Sequence, residues 1–314
     1  RVIEAARAVS LPSSREIINV LPREFVVDSQ KNIKDPVGMT GIRLEAEAHL
    51  ITGSSTANKN IKKCVTALGV DVSGLFFTAL ASALAVLTDT EKELGVVLVD
   101  IGGGTTSITI FIEGACGFSA VLPIGAKNIT NDLAIGLRIG LDSAEKIKQH
   151  LSIPIIPSEK GMPKADDELN LARLGLKEDL KTASRKTLID GIIRPRLNEI
   201  FTMVGQVIKK SGYAGITPAG IVICGGGALT VDAVSSCKHV MQLPVRIGVP
   251  SGLSGLTEEI ESPAYAAVVG LILSGISKNY ESHSSTDKMQ SIFKKVHLPG
   301  SANKIVDFLK SFLP

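Results

Sequence analysis

The chain has 314 residues, of which 44% are hydrophobic, 21% charged and only 4% aromatic, with 30 glycines and no tryptophan. That balance excludes a disordered or low-complexity chain, and no apolar run reaches the roughly 18 residues of a membrane-spanning helix. The formal net charge is +3, and the lysines from Lys288 onward face only Asp307, so the remainder is near neutral and offers no nucleic-acid-binding face.

The chain opens on Arg1 inside a predicted helix, Val2–Val9, without a signal peptide, and is read as incomplete at its N-terminus. Strands are predicted at Glu24–Val27 and Leu44–Thr52; in the second, Leu44, Ala46, Ala48 and Leu50 share one face. A helix capped by Ser54 or Ser55 follows, running to Leu68 and stopping at Gly69. Residues 1–75 thus form a small α/β unit. Phe76–Leu87 and Ala264–Ile276 read as buried helices. Gly95–Asp100 is a strand buried on both faces, and the glycines after it lead straight into the alternating run Ser107–Ile112, as in a hairpin. From Thr130 to Ser211 the pattern is helical, with a helix at Asp142–His150 and a long amphipathic one, Leu188–Ile208, interrupted at Pro195. Gly220–Cys224 is a second buried strand, followed by a helix at Val231–Val240, a strand at Val245–Ile247 and the polar linker Ser277–Gln290.

Four cysteines without a C-x-x-C pair and scattered histidines argue for a reduced compartment and against a zinc site. Two glycine motifs carry chemistry instead. In the first, Asp100 ends a buried strand; Gly102, Gly103 and Gly104 let backbone N–H groups face a phosphate, and the hydroxyls of Thr105 and Thr106 add donors. Asp100 is placed to hold Mg²⁺ through water. In the second, Gly225, Gly226 and Gly227 join a buried strand to a helix, where a nucleotide can lie against bare backbone. Each motif alone is also compatible with a plain turn or with close packing; no helix follows the first, so this is not a dinucleotide fingerprint.

Val99–Thr106 resembles the second phosphate motif of the actin-like ATPases, and Ile223–Ala228 resembles their adenosine motif. Val20–Phe25, Ile33–Met39, Leu80–Ala83, Glu91–Gly95, Thr130–Ala134 and Arg194–Arg196 are similar to the FtsA family of bacterial cell-division proteins within that group. The resemblance covers nearly the whole chain. It implies an α/β, actin-like (ribonuclease H-like) ATPase fold, incomplete at the N-terminus. It further implies an inserted 1C-like subdomain at 1–75, core segments at 76–127 and 216–277, and a helical 2B-like subdomain at 128–215. ATP and Mg²⁺ are the implied cofactors, with Lys186 and Arg185 beside the adenine. The implied partners are a second copy in a protofilament, the C-terminal peptide of FtsZ at Arg194, Arg196 and Asn198, and other division proteins at the 1C-like subdomain. The family's first phosphate motif is not in this sequence, so this chain alone is expected to bind nucleotide poorly or not at all. Thr78 stands where many actin-like ATPases carry an acidic or amide residue that orients water, so hydrolysis is expected to be slow or absent and no catalytic residue is assigned.

After the linker, 278–298, residues 299–314 form a predicted amphipathic helix. At 100° per residue, Ile305, Val306, Phe308, Leu309, Phe312 and Leu313 fall within an arc of about 160°, with Lys304 and Lys310 on the polar side. Apolar side chains entering an acyl boundary beside lysines suit an anionic membrane surface. Members of the resembled family carry such a helix, which implies a peripheral location on the cytoplasmic face of the membrane at the division site. The alternative within the fold is the actin-like ATPase of type IV pilus assembly. A sugar or acetate kinase would need a catalytic acid that no residue supplies, and a DnaK-type chaperone would need a β-rich domain that does not follow.

Overall fold

The computed structural model describes residues 2–153, 167–253 and 260–283. It begins with a short helix, α1 (Val2–Ala6), then β1 (Arg15–Val27), β2 (Gln30–Ile33) and β3 (Leu44–Ser54), and α2 (Ser55–Thr66). The three strands make an antiparallel sheet in the order β2-β1-β3. β1 is far longer than the predicted Glu24–Val27, and β2 was not predicted. Two local features hide them in the sequence. Pro22 has no N–H for the ladder, and the register with β3 shifts between Pro22 and Glu24. The β1–β2 turn is made by Asp28 and Ser29, both at positive φ without a glycine. The Asp28 carboxylate steadies this corner by accepting from the N–H groups of Ile42 and Arg43 at 3.0 and 2.7 Å.

Next come α3 (Thr78–Val86), α4 (Asp89–Leu94), β4 (Val96–Ile101), β5 (Thr106–Ile112) and β6 (Ala115–Leu122). The helical segment follows with α5 (Ala126–Leu137) and α6 (Leu141–Ser152), the small hairpin β7 (Glu168–Asn170) and β8 (Thr182–Ser184), α7 (Arg185–Leu188) and α8 (Arg194–Ser211). The chain then adds β9 (Ile221–Cys224), α9 (Ala233–Met241), β10 (Val245–Ile247) and α10 (Ala266–His283). One mixed sheet, β10-β9-β4-β5-β6, organises the centre: β4 pairs parallel with β9 and antiparallel with β5. Every residue of β4 is buried, as its unbroken aliphatic run requires. Val97, Val99, Ile108 and Ile110 of this sheet share a core with Ile129 and Leu133 of α5, Ile147 and Leu151 of α6, and Leu197, Phe201 and Val204 of α8. Each such side chain contributes about 1.5–3 kcal/mol by leaving water.

Pro195 does not interrupt the long helix. A π-turn, Ile189–Ile193, sits directly before α8, and the N–H of Arg194 reaches the Ile189 carbonyl. The wider turn leaves Pro195 in the first turn of α8, where its missing N–H costs least. α10 also departs from expectation. It runs to His283, into the predicted linker, and Val268 and Leu271 are half exposed where a buried helix was predicted. The chain clusters as one compact unit through Leu271, to which the described residues from Ile272 to His283 do not belong. Among the described residues no helix is long and apolar enough to cross a membrane.

The sheet edge is tied to α4 by a bidentate pair: Arg246 on β10 donates to both carboxylate oxygens of Glu91 at 2.6 and 2.7 Å. That hydrogen bonding, helped by Thr88 and opposed by burial, holds Glu91 down from 4.5 to about 2. A depressed carboxyl stabilises the fold above its unfolded value and loses that contribution as pH falls through its folded value. Between pH 4.5 and about 2, the Glu91→Gln variant is therefore expected to lose less unfolding free energy than the wild type, measured by urea denaturation across that window.

Candidate functional site

β4 and β9 run side by side, with Asp100 opposite Cys224, so the two glycine motifs leave the sheet at the same edge. The first loop is a tight turn in which Gly102 N–H donates to the Thr105 carbonyl at 2.9 Å. The start of α5 docks on it: the N–H groups of Ala126 and Lys127 donate to the carbonyls of Gly102 and Gly103 at 2.9 and 2.8 Å. Gly125 makes this docking possible. A Cβ there would stand 2.6 Å from both carbonyl oxygens.

The second loop packs against the first at Gly225. This residue has φ +80°, and a Cβ on it would stand 2.6 Å from the Ile101 carbonyl oxygen and closer still to Asp100 Oδ1. Its N–H donates to the Pro263 carbonyl at 2.9 Å. Asp100 lies at the base of the two loops, buried, with Oδ2 accepting from the Ser82 hydroxyl at 2.7 Å. Burial lifts its carboxyl above the ordinary range, against the pull of that hydrogen bond. The neighbouring Cys224 thiol is pushed well up by burial and by the Asp100 charge.

Above the loops opens a cavity of about 620 Å³ that Gly103, Gly226 and Gly227 line together with Lys127, Glu145, Lys148 and Thr230. Lys148 is nearly buried. Its ammonium lies 2.7 Å from Glu145 Oε2 and donates to Thr130 Oγ1 at 2.9 Å. The Thr130 hydroxyl in turn donates to Glu145 at 2.5 Å. Burial alone would raise the Glu145 carboxyl, but the hydrogen bonds from Lys148 and Thr130 hold it below its ordinary value. The cavity therefore presents open backbone at its glycine end and a fixed carboxylate–ammonium pair on its helical wall. A chain of phosphates suits the first and sugar hydroxyls suit the second.

Several expected residues lie elsewhere. Thr106 is fully buried and its hydroxyl donates to the Ile124 carbonyl at 2.8 Å, so it fixes the loop and has no proton for a phosphate. Gly104 and Thr105 are exposed on the loop. Lys186 and Arg185 are not among the residues that line the cavity. Asp167 accepts the Lys186 N–H at 2.8 Å and pins the start of α7, and Lys186 borders an adjoining depression of about 330 Å³ with Asp190, Arg194 and Asp232. Arg185 donates to the Leu151 carbonyl at 3.3 Å. On α8, Arg194 is paired with Asp190 and Asp232 at 2.7 and 2.6 Å. Arg196 is held bidentately by Asp132 at 2.6 and 2.9 Å and also meets Glu199. The Asn198 side-chain oxygen is buried without a partner among the described residues. Lys304, Ile305, Val306, Phe308, Leu309, Lys310, Phe312 and Leu313 lie outside the described residues.

Sequence reasoning missed Gly125, Lys127, Glu145, Lys148 and Ser82. Glu145 and Lys148 stand three apart on a helix, which puts them on one face. That spacing was visible, but nothing in it said which face meets the glycine loops.

A family model described as "Cell division protein FtsA" matches residues 97–270, and one described as "SHS2 domain inserted in FTSA" matches residues 1–52. The chain is similar to cell division protein FtsA of Pseudomonas aeruginosa (40% identity, 88% of this chain, 65% of that protein). It is also similar to the FtsA proteins of Neisseria meningitidis (35%, 87% and 64%) and Escherichia coli K12 (32%, 91% and 69%). The chain thus spans about 65% of the length of the first of these relatives. Among solved structures, it resembles a PilM–PilN type IV pilus biogenesis complex (TM-score 0.58, 16% identity, 87% of this chain, 70% of that one). It also resembles MreB 5 of Spiroplasma citri bound to AMPPNP (0.54, 21%, 73% and 68%). These likenesses establish the actin-like ATPase fold.

Alanine at Gly225 is expected to cost more than about 2 kcal/mol of stability through left-handed strain and the collision with Asp100. Gly226→Ala meets no atom within 4 Å and is expected to stay within about 0.5 kcal/mol. Urea denaturation of the two variants tests the assignment.

Proposed function

This chain belongs to the FtsA family of cell division proteins, and on that premise we propose that it is a nucleotide-binding, self-associating adaptor that holds FtsZ filaments to the cytoplasmic face of the membrane. One observation carries the nucleotide part: Gly103 and Gly226, from two separate motifs, line a single cavity of about 620 Å³. Its glycine end suits the phosphates of ATP, and the Glu145–Lys148 pair suits the ribose hydroxyls. The AMPPNP in MreB 5 is a property of that protein; the shared fold supports the same ligand class here. Asp100, buried at the root of the loops and not among the residues that line the cavity, is the carboxylate that would hold Mg²⁺ through water. Among the described residues no cluster of three or more His, Cys, Asp or Glu is arranged around a metal, so the ion would keep water and phosphate oxygens as its other ligands. When bound, Mg²⁺ supplies charge that offsets the repulsion between Asp100 and the phosphates.

The tethering part draws on the family and on two features of the chain. The 305–313 segment has the composition of an interfacial helix, and filaments that present many copies bind by avidity. On α8, Arg194 and Arg196 are already matched by carboxylates, so an acidic FtsZ peptide would bind there by exchange of partners. The pilus-assembly reading draws on 16% identity to one solved structure, against 32–40% to cell-division relatives, and is the weaker of the two.

Gly226→Asp, which adds a carboxylate in open space, is expected to lower ATP affinity at least tenfold with little change in unfolding midpoint, read by calorimetric titration. In vesicle flotation with anionic lipid, the intact protein is expected to carry FtsZ with it. Phe308→Glu with Phe312→Glu is expected to leave both in solution, and Arg196→Glu to float without FtsZ. A protein that ignores the vesicles, or a double variant that still floats, refutes the tether.

A further inference from the structure

A helix ordinarily receives an anion on the N–H groups of its first turn, which have no partner within the helix. α5 meets the first glycine loop with this end, but the groups there are already used. Ala126 and Lys127 donate to the carbonyls of Gly102 and Gly103 at 2.9 and 2.8 Å, and Asn128 donates to the Gly125 carbonyl at 3.0 Å. The N–H of Gly125, just before the helix, goes to Asn128 Oδ1 at 3.1 Å. The Thr106 hydroxyl is committed to Ile124. An anion at this end of the cavity therefore gains nothing from the start of α5 as a dipole with open donors, and a side chain must supply the charge.

The cavity wall is charged at Lys127, Glu145 and Lys148. Glu145 and Lys148 neutralise each other at 2.7 Å. Lys127 is exposed, and among the described residues no carboxylate is paired with it. Its own N–H fixes its main chain on Gly103, so its ammonium, a point charge with three donors on a flexible stem, works from a fixed root beside the first glycine loop. We propose that Lys127 is the residue that sets positive charge against the phosphates of a bound nucleotide, and that it grades affinity by their number. The inference rests on the nucleotide reading above and deepens it. Negative charge grows from adenosine to ADP to ATP, whereas the Glu145–Lys148 pair offers the sugar hydroxyls the same contacts whichever of the three is bound.

Affinities of the intact protein for ATP, ADP and adenosine are measured by calorimetric titration at one Mg²⁺ concentration, alongside the thermal midpoint of each variant. The contact that fixes Lys127 is made by its backbone, so Lys127→Gln is expected to keep the wild-type midpoint. It is expected to lower ATP affinity about tenfold, the low end for a hydrogen bond to a charged group because the ammonium is exposed to water. ADP affinity should fall by less and adenosine affinity not at all. Lys127→Arg, which keeps the charge, is expected to retain most of the ATP affinity, and added salt is expected to narrow the gap between the wild type and Lys127→Gln. A glutamine variant with wild-type ATP affinity overturns the assignment, and so does one that loses affinity equally for all three ligands. Failure of the wild type to bind any of the three overturns the nucleotide reading itself, and this inference with it.

Discussion

Parallel pairing of β4 with β9 sets Asp100 beside Cys224, and the chain leaving each strand must clear the other within one residue. Only a backbone without a side chain can do so at Gly225, where the Asp100 carboxylate and the Ile101 carbonyl occupy the space a Cβ would need. The rest of the site follows from that crowding. The two loops are pressed together at their roots and diverge above them, leaving Gly103 and Gly226 free to line one cavity. The carboxylate at the root is confined by the Gly225 backbone, and burial raises its affinity for a proton.

Much of this arrangement was legible in the sequence, and the reason is physical. Strands buried on both faces are unbroken aliphatic runs, so Val96–Asp100 and Ile221–Cys224 announce themselves and mark the glycines after them as loops at a sheet edge. What the sequence hid were contacts between elements distant in the chain. Thr106 looked like a phosphate ligand because it follows the glycines; strand alternation turns it into the core, where Ile124 takes its hydroxyl. Lys148 and Glu145 lie within the predicted helix Asp142–His150, and only the packing of α6 against α5 buries the lysine at the cavity wall. Lys186 was carried over from a family resemblance; Asp167, just ahead of the β7–β8 hairpin, holds its N–H, and Lys186 lines a depression adjoining the glycine-lined cavity.

The cavity and the helical segment are also mechanically joined. The first two N–H groups of α5 are spent on the carbonyls of the glycine loop, and Lys148 ties α6 to α5 through Thr130 and the Ala126 carbonyl. Further along α5, Asp132 holds Arg196 of α8. A displacement of the loop therefore has a continuous path of hydrogen bonds to the helix that bears the candidate peptide-binding residues.

The π-turn before Pro195 gives this path its geometry. One residue more than an ordinary helical turn requires lets the proline stand without breaking the rod, and the two flanking arginines diverge. Arg194 anchors to Asp232, just ahead of α9, and Arg196 to α5. A single surplus residue thus makes α8 a forked strut, braced on one side against the segment that follows the second glycine loop and on the other against the helix docked on the first.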